Sequence, residues 1–533
     1  MLSLLAVAVL FVACANVAGL LASRAPMRAR EIALRLAIGA GPGRVTRQLM
    51  TESVLIAAIG GVLGLGVGYA GVLLFRQFRI PTDLPISVAF ELDQRALAVS
   101  LMVTLVSAVL FGLAPAVRAA RADLTVVMKA TDAAGSGRRR WGRAILVAGQ
   151  VAVSVILLTV SVFVYRDFQR RIDEGPGFRT DHLLEMWFTP GVLQYSQAQT
   201  QEFFEQVVEQ ARNMPGAASA TLTSFVPMDG GNGTGLVQIA PEAFQLPAGT
   251  KSVVLFSATV DDQFFDTLKL PILKGRPFRA TDAADAPRVA IVNEQVAARY
   301  WPGQDPVGKR FHLNEARGPV VEVVGLTTTT KYSFLLEGPT EFIYFPLRQR
   351  PQQSLALIIA SKGDPAMMAG PIREMVRHLD ANQPISNLRP LEETYRMRSV
   401  TILNVLAALI AAMGTMGLLL AIVGLYGLVS YAASRRTKEI GIRIAIGAEP
   451  FDVLRMVLSQ GATLAVVGLV VGLLASVGVN RALGALFPRE DGHFDTTAVA
   501  LVAMVVMSVT LLATYLPARR ASRVNPIEAL RCE

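Results

Sequence analysis

One basic stretch occurs twice in this chain, and each copy lies between two long apolar runs. Arg30-Glu31-Ile32-Ala33-Leu34-Arg35-Leu36-Ala37-Ile38-Gly39-Ala40 returns as Lys438-Glu439-Ile440-Gly441-Ile442-Arg443-Ile444-Ala445-Ile446-Gly447-Ala448. The pairing keeps one register outward from there: Arg28 falls on Arg436, Gly60 on Gly468 and Gly64 on Gly472. After a short length difference it resumes, with Pro115, Arg118, Arg121 and Asp123 matching Pro517, Arg520, Arg523 and Asn525. Repetition that holds register over such a distance means a duplicated unit.

The apolar runs decide what kind of unit. They cover about Leu2 to Ala22, Leu49 to Phe75, Leu97 to Val117, Ala144 to Tyr165, Ile402 to Tyr431, Val457 to Leu486 and Val499 to Leu516. Each can supply the roughly 20 apolar residues that cross a bilayer. A chain of 533 residues that is 52% hydrophobic and 17% charged is an integral membrane protein with a soluble part. The net charge of +10 does not call for nucleic acid, because the cations cluster beside the apolar runs, where they set orientation.

Arg24, Arg28, Arg30, Arg35, Arg44 and Arg47 face only Glu31 in the first loop, and Arg138, Arg139, Arg140 and Arg143 reinforce the third. Both loops are expected in the cytoplasm, which puts the segment from about Arg166 to Arg398 outside and the C-terminus inside. Seven spans place Met1 outside, directly before an apolar run with no basic leader. The second unit, by contrast, is preceded by a span and an outer domain. The chain is therefore expected to lack its own leading span and first outer domain. The expected organisation is a first three-span unit at 1–123, a cytoplasmic linker at 124–143, a leading span at 144–165, an outer domain at 166–398, and a second three-span unit with a cytoplasmic tail at 399–533.

Within the outer region, Leu183 to Phe188 reads as a strand. Ser196 can cap a helix that aligns Phe204, Val207, Val208 and Ala211, and Ala220 to Phe225 reads as a returning strand. A second such series runs through Leu355 to Ala360, Pro371 to Leu379 and Ile385 to Leu388. Between them lies a β-rich insert: Val253 to Thr259, Val289 to Val292 with a helix at Glu294 to Tyr300, Val320 to Val324 and Phe342 to Leu347. These elements predict a two-lobed α+β domain inserted into a helical membrane protein.

Catalytic chemistry has little support. Cys14 and Cys532 form no disulfide framework, and His182, His312, His378 and His493 lack metal-ligand spacing, so no metal or cofactor is expected. Asp261-Asp262 and Glu392-Glu393 read as helix starts or solvated faces. No phosphate-cradling G-x-x-x-x-G-K-[ST] pattern occurs, so ATP hydrolysis is expected on a partner subunit. Asn16, Gln150, Ser154 and Thr104 are the polar residues within the spans, with no mid-membrane acid or lysine of the kind an ion-coupled transporter keeps.

Two features repeat and so invite a role. The basic stretch keeps an acid beside a base in both copies, which positive-inside bias alone does not require, and its Gly39 and Gly447 suit a helix C-cap. Gly60, Gly64 and Gly68, and in the copy Gly468, Gly472 and Ser476, recur every fourth residue and read as helix-packing seams.

Arg28-x-Arg30-Glu31-Ile32-Ala33-Leu34-Arg35-x-Ala37-x-Gly39-Ala40, its copy from Arg436 to Ala448, the tail from Pro517 to Arg531, and Val292-Asn293-Glu294 through Tyr300-Trp301-Pro302-Gly303 to Gly308 together resemble the FtsX/MacB-type permeases of ABC transporters, specifically the duplicated permeases of acidobacterial type. The resemblance implies that Arg28, Arg30, Glu31, Arg35, Gly39, Arg436, Lys438, Glu439, Arg443 and Gly447 couple to an ABC-type ATPase in the bacterial inner membrane. It also implies that ATP-driven motion reaches the outer domain by mechanotransmission, for export or efflux of an unidentified substrate, with a homodimer or a second permease left open. The rival reading is a membrane scaffold that regulates a cell-wall hydrolase or extracts lipoproteins. A hydrophobic groove between the outer lobes would favour export.

Overall fold

The computed structural model describes residues 41–76, 136–229, 235–242, 250–435, 437–486 and 496–523, with scattered residues at 3–16, 94–109 and 244. The elements used below are the helices α1 (Pro42–Arg76) and α2 (Ser136–Glu174), strand β1 (Leu183–Phe188), α3 (Gln197–Arg212), β2 (Ala217–Thr223), β3 (Gly235–Pro241), β4 (Val253–Val260), β5 (Ile272–Gly275), β6 (Val289–Asn293), α4 (Glu294–Tyr300), β7 (Arg310–Leu313), β8 (Val320–Thr327), β9 (Phe342–Pro346), β10 (Leu355–Ser361), α5 (Ala369–Leu379), β11 (Ile385–Pro390), α6 (Leu391–Tyr395), α7 (Thr401–Arg435), α8 (Thr437–Ala445), α9 (Pro450–Leu486) and α10 (Thr496–Ala521). The chain divides into two compact units, one of helices and one made essentially of residues 167–405.

In the helical unit, five stretches among the described residues are long and apolar enough to cross a membrane: Gly43–Leu74, Val147–Glu174, Leu391–Ser434, Pro450–Val479 and Thr496–Ala521. The expected spans at 2–22 and 97–117 lie largely outside the described residues. The stretch within α2 is the most enclosed of the five. Its few polar side chains bond across to neighbouring backbone: Ser154 donates to the Gly417 carbonyl at 2.8 Å and Ser161 to that of Ile410 at 2.9 Å. Gln150 donates to Asn16 Oδ1 at 2.7 Å, while Asn16 donates to the Leu420 carbonyl at 2.5 Å. With no water in the hydrocarbon layer, such groups bind helix to helix.

The other unit is built on one 11-stranded sheet that resolves into two lobes. In the first lobe, β11, β1, β10 and β2 lie side by side, all antiparallel. Alternate residues Leu184, Met186 and Phe188 of β1 and Leu355, Leu357 and Ile359 of β10 face α3 and α5, packing with Phe203, Phe204, Val207, Ile372 and Val376. Period-two alternation places these side chains on one face. Ser196 caps α3 reciprocally with Gln199, which ties down the start of that helix.

The second lobe closes on itself. β4 pairs with β3, β3 with β7, β7 with β8, β8 with β6, β6 with β9, and β9 in parallel with β4 again. Six strands thus form a small barrel, and closure leaves no free edge. Its core gathers alternate residues, among them Ile239, Leu255, Val292, Phe311, Val323 and Ile343, and Val296 and Tyr300 of α4 pack into the same cluster. The lobes join through one short pairing, Thr223 on β2 opposite Val260 on β4.

Candidate functional site

The repeated basic stretch is described only in its second copy. Arg28, Arg30, Glu31, Arg35 and Gly39, and also Arg436, lie outside the described residues, as does the side chain of Lys438. Residues 437–445 form α8, an amphipathic helix. Ile440 is fully buried against Leu425, Val429, Val453, Val457 and Ala518, so one side of α8 is anchored to the helical unit. Glu439 and Arg443, one turn apart, meet at 2.8 Å with both side chains about half exposed. Exposed pairs of this kind contribute only about 0.3–0.5 kcal/mol, too little to account for them as stabilisers. Gly447 ends the helix at φ 104°, with the Ala448 amide donating to the Arg443 carbonyl at 2.9 Å. That left-handed conformation favours glycine. Beside the ion pair, Ile442, Ile446 and Phe451 are 47%, 81% and 67% exposed. An anchored helix thus presents a mixed charged and apolar surface.

The glycine rows differ between the copies. A Cβ added at Gly468 would lie 2.6 Å from the Val151 Cβ and 2.7 Å from the Ala148 carbonyl oxygen; one at Gly472 would lie 2.7 Å from the Val155 Cβ and 2.8 Å from the Ala152 carbonyl oxygen. α9 and α2 therefore approach backbone to backbone, and Ser476 is buried in the same row with its hydroxyl donating to the Gly472 carbonyl at 2.7 Å. Gly60, Gly64 and Gly68 on α1 have no atom of the described residues within 4 Å of the corresponding position.

The outer domain holds a buried charge cluster that residue patterning does not reveal. Glu185 and Asp229 are both 0% exposed. Glu185 stands on β1 directly opposite Arg389 on β11, which donates to it at 3.1 Å and to Asp229 at 3.3 Å. Thr394 donates to Glu185 at 2.5 Å, and Arg398 reaches Asp229 Oδ1 at 3.1 Å. Arg398 lies in the π turn Arg396–Val400 that leads into α7. Burial, and secondarily the charge of Asp229, push the Glu185 carboxyl up to about 7 despite Arg389. A lone acid inside the apolar strand Leu183–Phe188 was the available signal, because a fully buried charge demands a partner.

The raised value has a testable sign. Glu185 binds its proton more tightly in the folded domain than in the unfolded chain, whose value is 4.5. Its contribution to stability is therefore complete below about 4.5 and is lost as pH rises through about 7. The melting temperature of the outer domain is expected to be higher at about pH 5 than at about pH 8, and Glu185→Gln should flatten that slope. A flat profile in the native chain would rule out the effect.

Asp261 stands just ahead of the short helix Phe264–Thr267, as a helix start, but it is not on a solvated face. Its carboxylate accepts from the Thr221 hydroxyl, from the Leu222 amide at 2.9 Å and from the Gln263 amide at 3.0 Å, and Arg212 pairs with it at 3.0 Å. Burial pushes it up to about 6 against these bonds. Glu392 and Glu393 do occupy the first turn of α6. Among the described residues no group of His, Cys, Asp and Glu could hold a metal ion.

A cavity of about 280 Å³ opens beside Asp261. α3 contributes Phe204 and Val208 to it, the segment after β4 contributes Asp261 and Asp262, the segment after β9 contributes Leu347 and Arg348, and the other lobe contributes Phe278 and Asp282. It is a groove between the two lobes lined by both apolar and charged side chains.

Residues 3–124 and 411–526 match the FtsX-like permease C-terminal family, and residues 144–374 match the MacB-like periplasmic core domain. The macrolide export ATP-binding/permease protein MacB of Hahella chejuensis is 24% identical over 281 residues, 51% of this chain and 42% of that protein. The pyoverdine export ATP-binding/permease protein PvdT of Pseudomonas syringae pv. syringae is 25% identical over 286 residues, again 51% of this chain and 42% of that protein. The chain thus spans about two-fifths of the length of these curated relatives. Among solved structures, the periplasmic region of MacB from Actinobacillus actinomycetemcomitans covers 42% of this chain and 97% of its own, at 13% identity and a TM-score of 0.30.

Proposed function

The chain belongs to the FtsX/MacB-type permeases of ABC transporters, with FtsX-like units flanking a MacB-like periplasmic core, and from that premise we propose that it couples ATP hydrolysis by a separate ABC-type ATPase to movement of its outer domain for export. Glu439 and Arg443 on α8, with Arg436, Lys438 and Gly447, form one docking surface for the ATPase; Arg28, Arg30, Glu31, Arg35 and Gly39 form the other. The observation that carries the reading is α8 itself. It is anchored by Ile440, yet it exposes an ion pair and Ile442, and the exposed Ile446 just after it and Phe451 at the start of α9 extend that apolar surface. Large exposed apolar side chains beside charge mark a surface built for a protein partner.

In this reading the protein sits in the bacterial inner membrane, with α8 and the C-terminus in the cytoplasm and residues 167–405 outside. Motion then travels through the spans while the substrate does not. The groove between the outer lobes favours export over a scaffold that regulates a cell-wall hydrolase.

Co-purification tests the proposal. The solubilised chain should capture an ATP-binding protein from its own cell, and Glu31→Arg combined with Glu439→Arg should reduce that capture at least tenfold, about 1.4 kcal/mol. Equal capture by the double variant would move docking away from these helices.

A further inference from the structure

We propose that the groove between the lobes of the outer domain binds a small zwitterionic amphiphile, an apolar body carrying one cationic and one anionic group. This concerns binding alone and holds or fails independently of how the spans are driven.

The shape comes first. At about 280 Å³ the cavity lies near the lower edge of small-ligand pockets, which run to roughly 300–1,000 Å³. Phe204, Val208 and Leu347, gathered at the core of the first lobe, and Phe278 from the other lobe give it apolar surface on both sides. Such a surface between two lobes takes an apolar body.

Charge then selects the ends of the ligand. On the first side, Arg212 is shared between Asp261 at 3.0 Å and Asp262 at 3.5 Å, one cation against two acids. Glu205, on the same side, accepts only the neutral amide of Gln201 among the described residues, at 3.2 Å. This rim carries excess negative charge. Across the groove, Asp282 is engaged through both oxygens by Arg276, at 2.8 and 2.9 Å, and also accepts from the Arg279 backbone amide at 2.8 Å. Arg279 and Arg348 line the groove and form no close ion pair among the described residues, Arg279 acting on Asp282 only at longer range. This rim carries excess positive charge. A ligand of one sign would gain at one rim and lose at the other, whereas a dipolar ligand is complementary to both.

The test uses the full chain in lipid nanodiscs of phosphatidylglycerol and three photoreactive probes that share a diazirine-bearing decyl chain. Their heads are a sulfobetaine, a sulfate and a trimethylammonium group. Adducts are located by proteolysis and mass spectrometry. On the segments 197–212 and 346–353 the sulfobetaine probe should exceed both others about tenfold, the effect of roughly two exposed ion pairs. Arg279→Glu with Arg348→Glu should lower its yield about tenfold. Val208→Trp, which fills the groove and leaves every charge in place, should abolish labelling there and decides the matter if the charge-reversed chain does not fold. Equal yields for the three probes, an unchanged yield with Val208→Trp, or no adduct on these segments would overturn the proposal. Exchanging the disc lipid for phosphatidylcholine identifies the source. Competition supports the site with a membrane lipid as its ligand; undiminished labelling supports it with a ligand taken from the aqueous side.

Discussion

Arg389→Met is expected to destabilise the outer domain by about 3–5 kcal/mol, the usual cost of leaving a buried charge without its partner. Among the described residues its side chain is the cation that touches both Glu185 and Asp229, which are fully buried. Removing it leaves Asp229 with Arg398 and Glu185 with the Thr394 hydroxyl. Methionine matches the length of the arginine stem, so the loss reports charge more than volume. Adding Glu185→Gln to Arg389→Met should recover part of the stability, because no ionisable group then remains unpaired at β1. Thermal unfolding followed by tryptophan fluorescence, read from Trp187 and Trp301, would measure the difference. A loss below about 1 kcal/mol would mean that water enters the cluster and screens it.

The second large effect uses the duplication as its own control. Gly468→Ala or Gly472→Ala puts a methyl group within 3 Å of backbone carbonyl oxygens on α2, which no rotamer change can relieve. The helices must separate, at a cost of about 1–3 kcal/mol per site and more for Leu. Gly60→Ala and Gly64→Ala occupy the matching positions of the first unit, where nothing among the described residues lies within 4 Å, and are expected to cost nothing sterically. Melting of the solubilised chain, together with the yield of folded protein, should therefore fall for the second pair of sites and hold for the first. Equal losses in both copies would mean that the first row is also in close contact in the membrane.

Much of this protein could be read from residue order, and the reasons are local. The strands Leu183–Phe188, Val289–Asn293 and Leu355–Ser361 are nearly continuous apolar runs, and α4 begins at Glu294 behind the Asn293 cap. Such elements are encoded within a few residues. Strands β5 and β7 escaped because each has only four residues, and β5 is largely exposed and pairs only with the distant β8. The two lobes were legible as a β-rich insert between two similar series, but closure of the insert into a barrel was not. It depends on the parallel pairing of Phe256–Val260 with Phe342–Pro346, more than eighty residues on.

The sequence by itself determined the membrane character, the duplication, the α+β outer domain and the repeated acid-base pair, because each is written in periodicity or in register. Only the tertiary structure decided which charges share a buried site. Glu185, Asp229, Arg389 and Arg398 are distributed over 214 positions, and even the acid and cation nearest in the chain, Asp229 and Arg389, are 160 residues apart. It also decided that Asp261 is held by Thr221, Leu222 and Arg212 beside a groove, and that one glycine row is a contact while its copy meets nothing among the described residues. These are properties of packing, where residues remote in the chain meet at distances that no local pattern encodes.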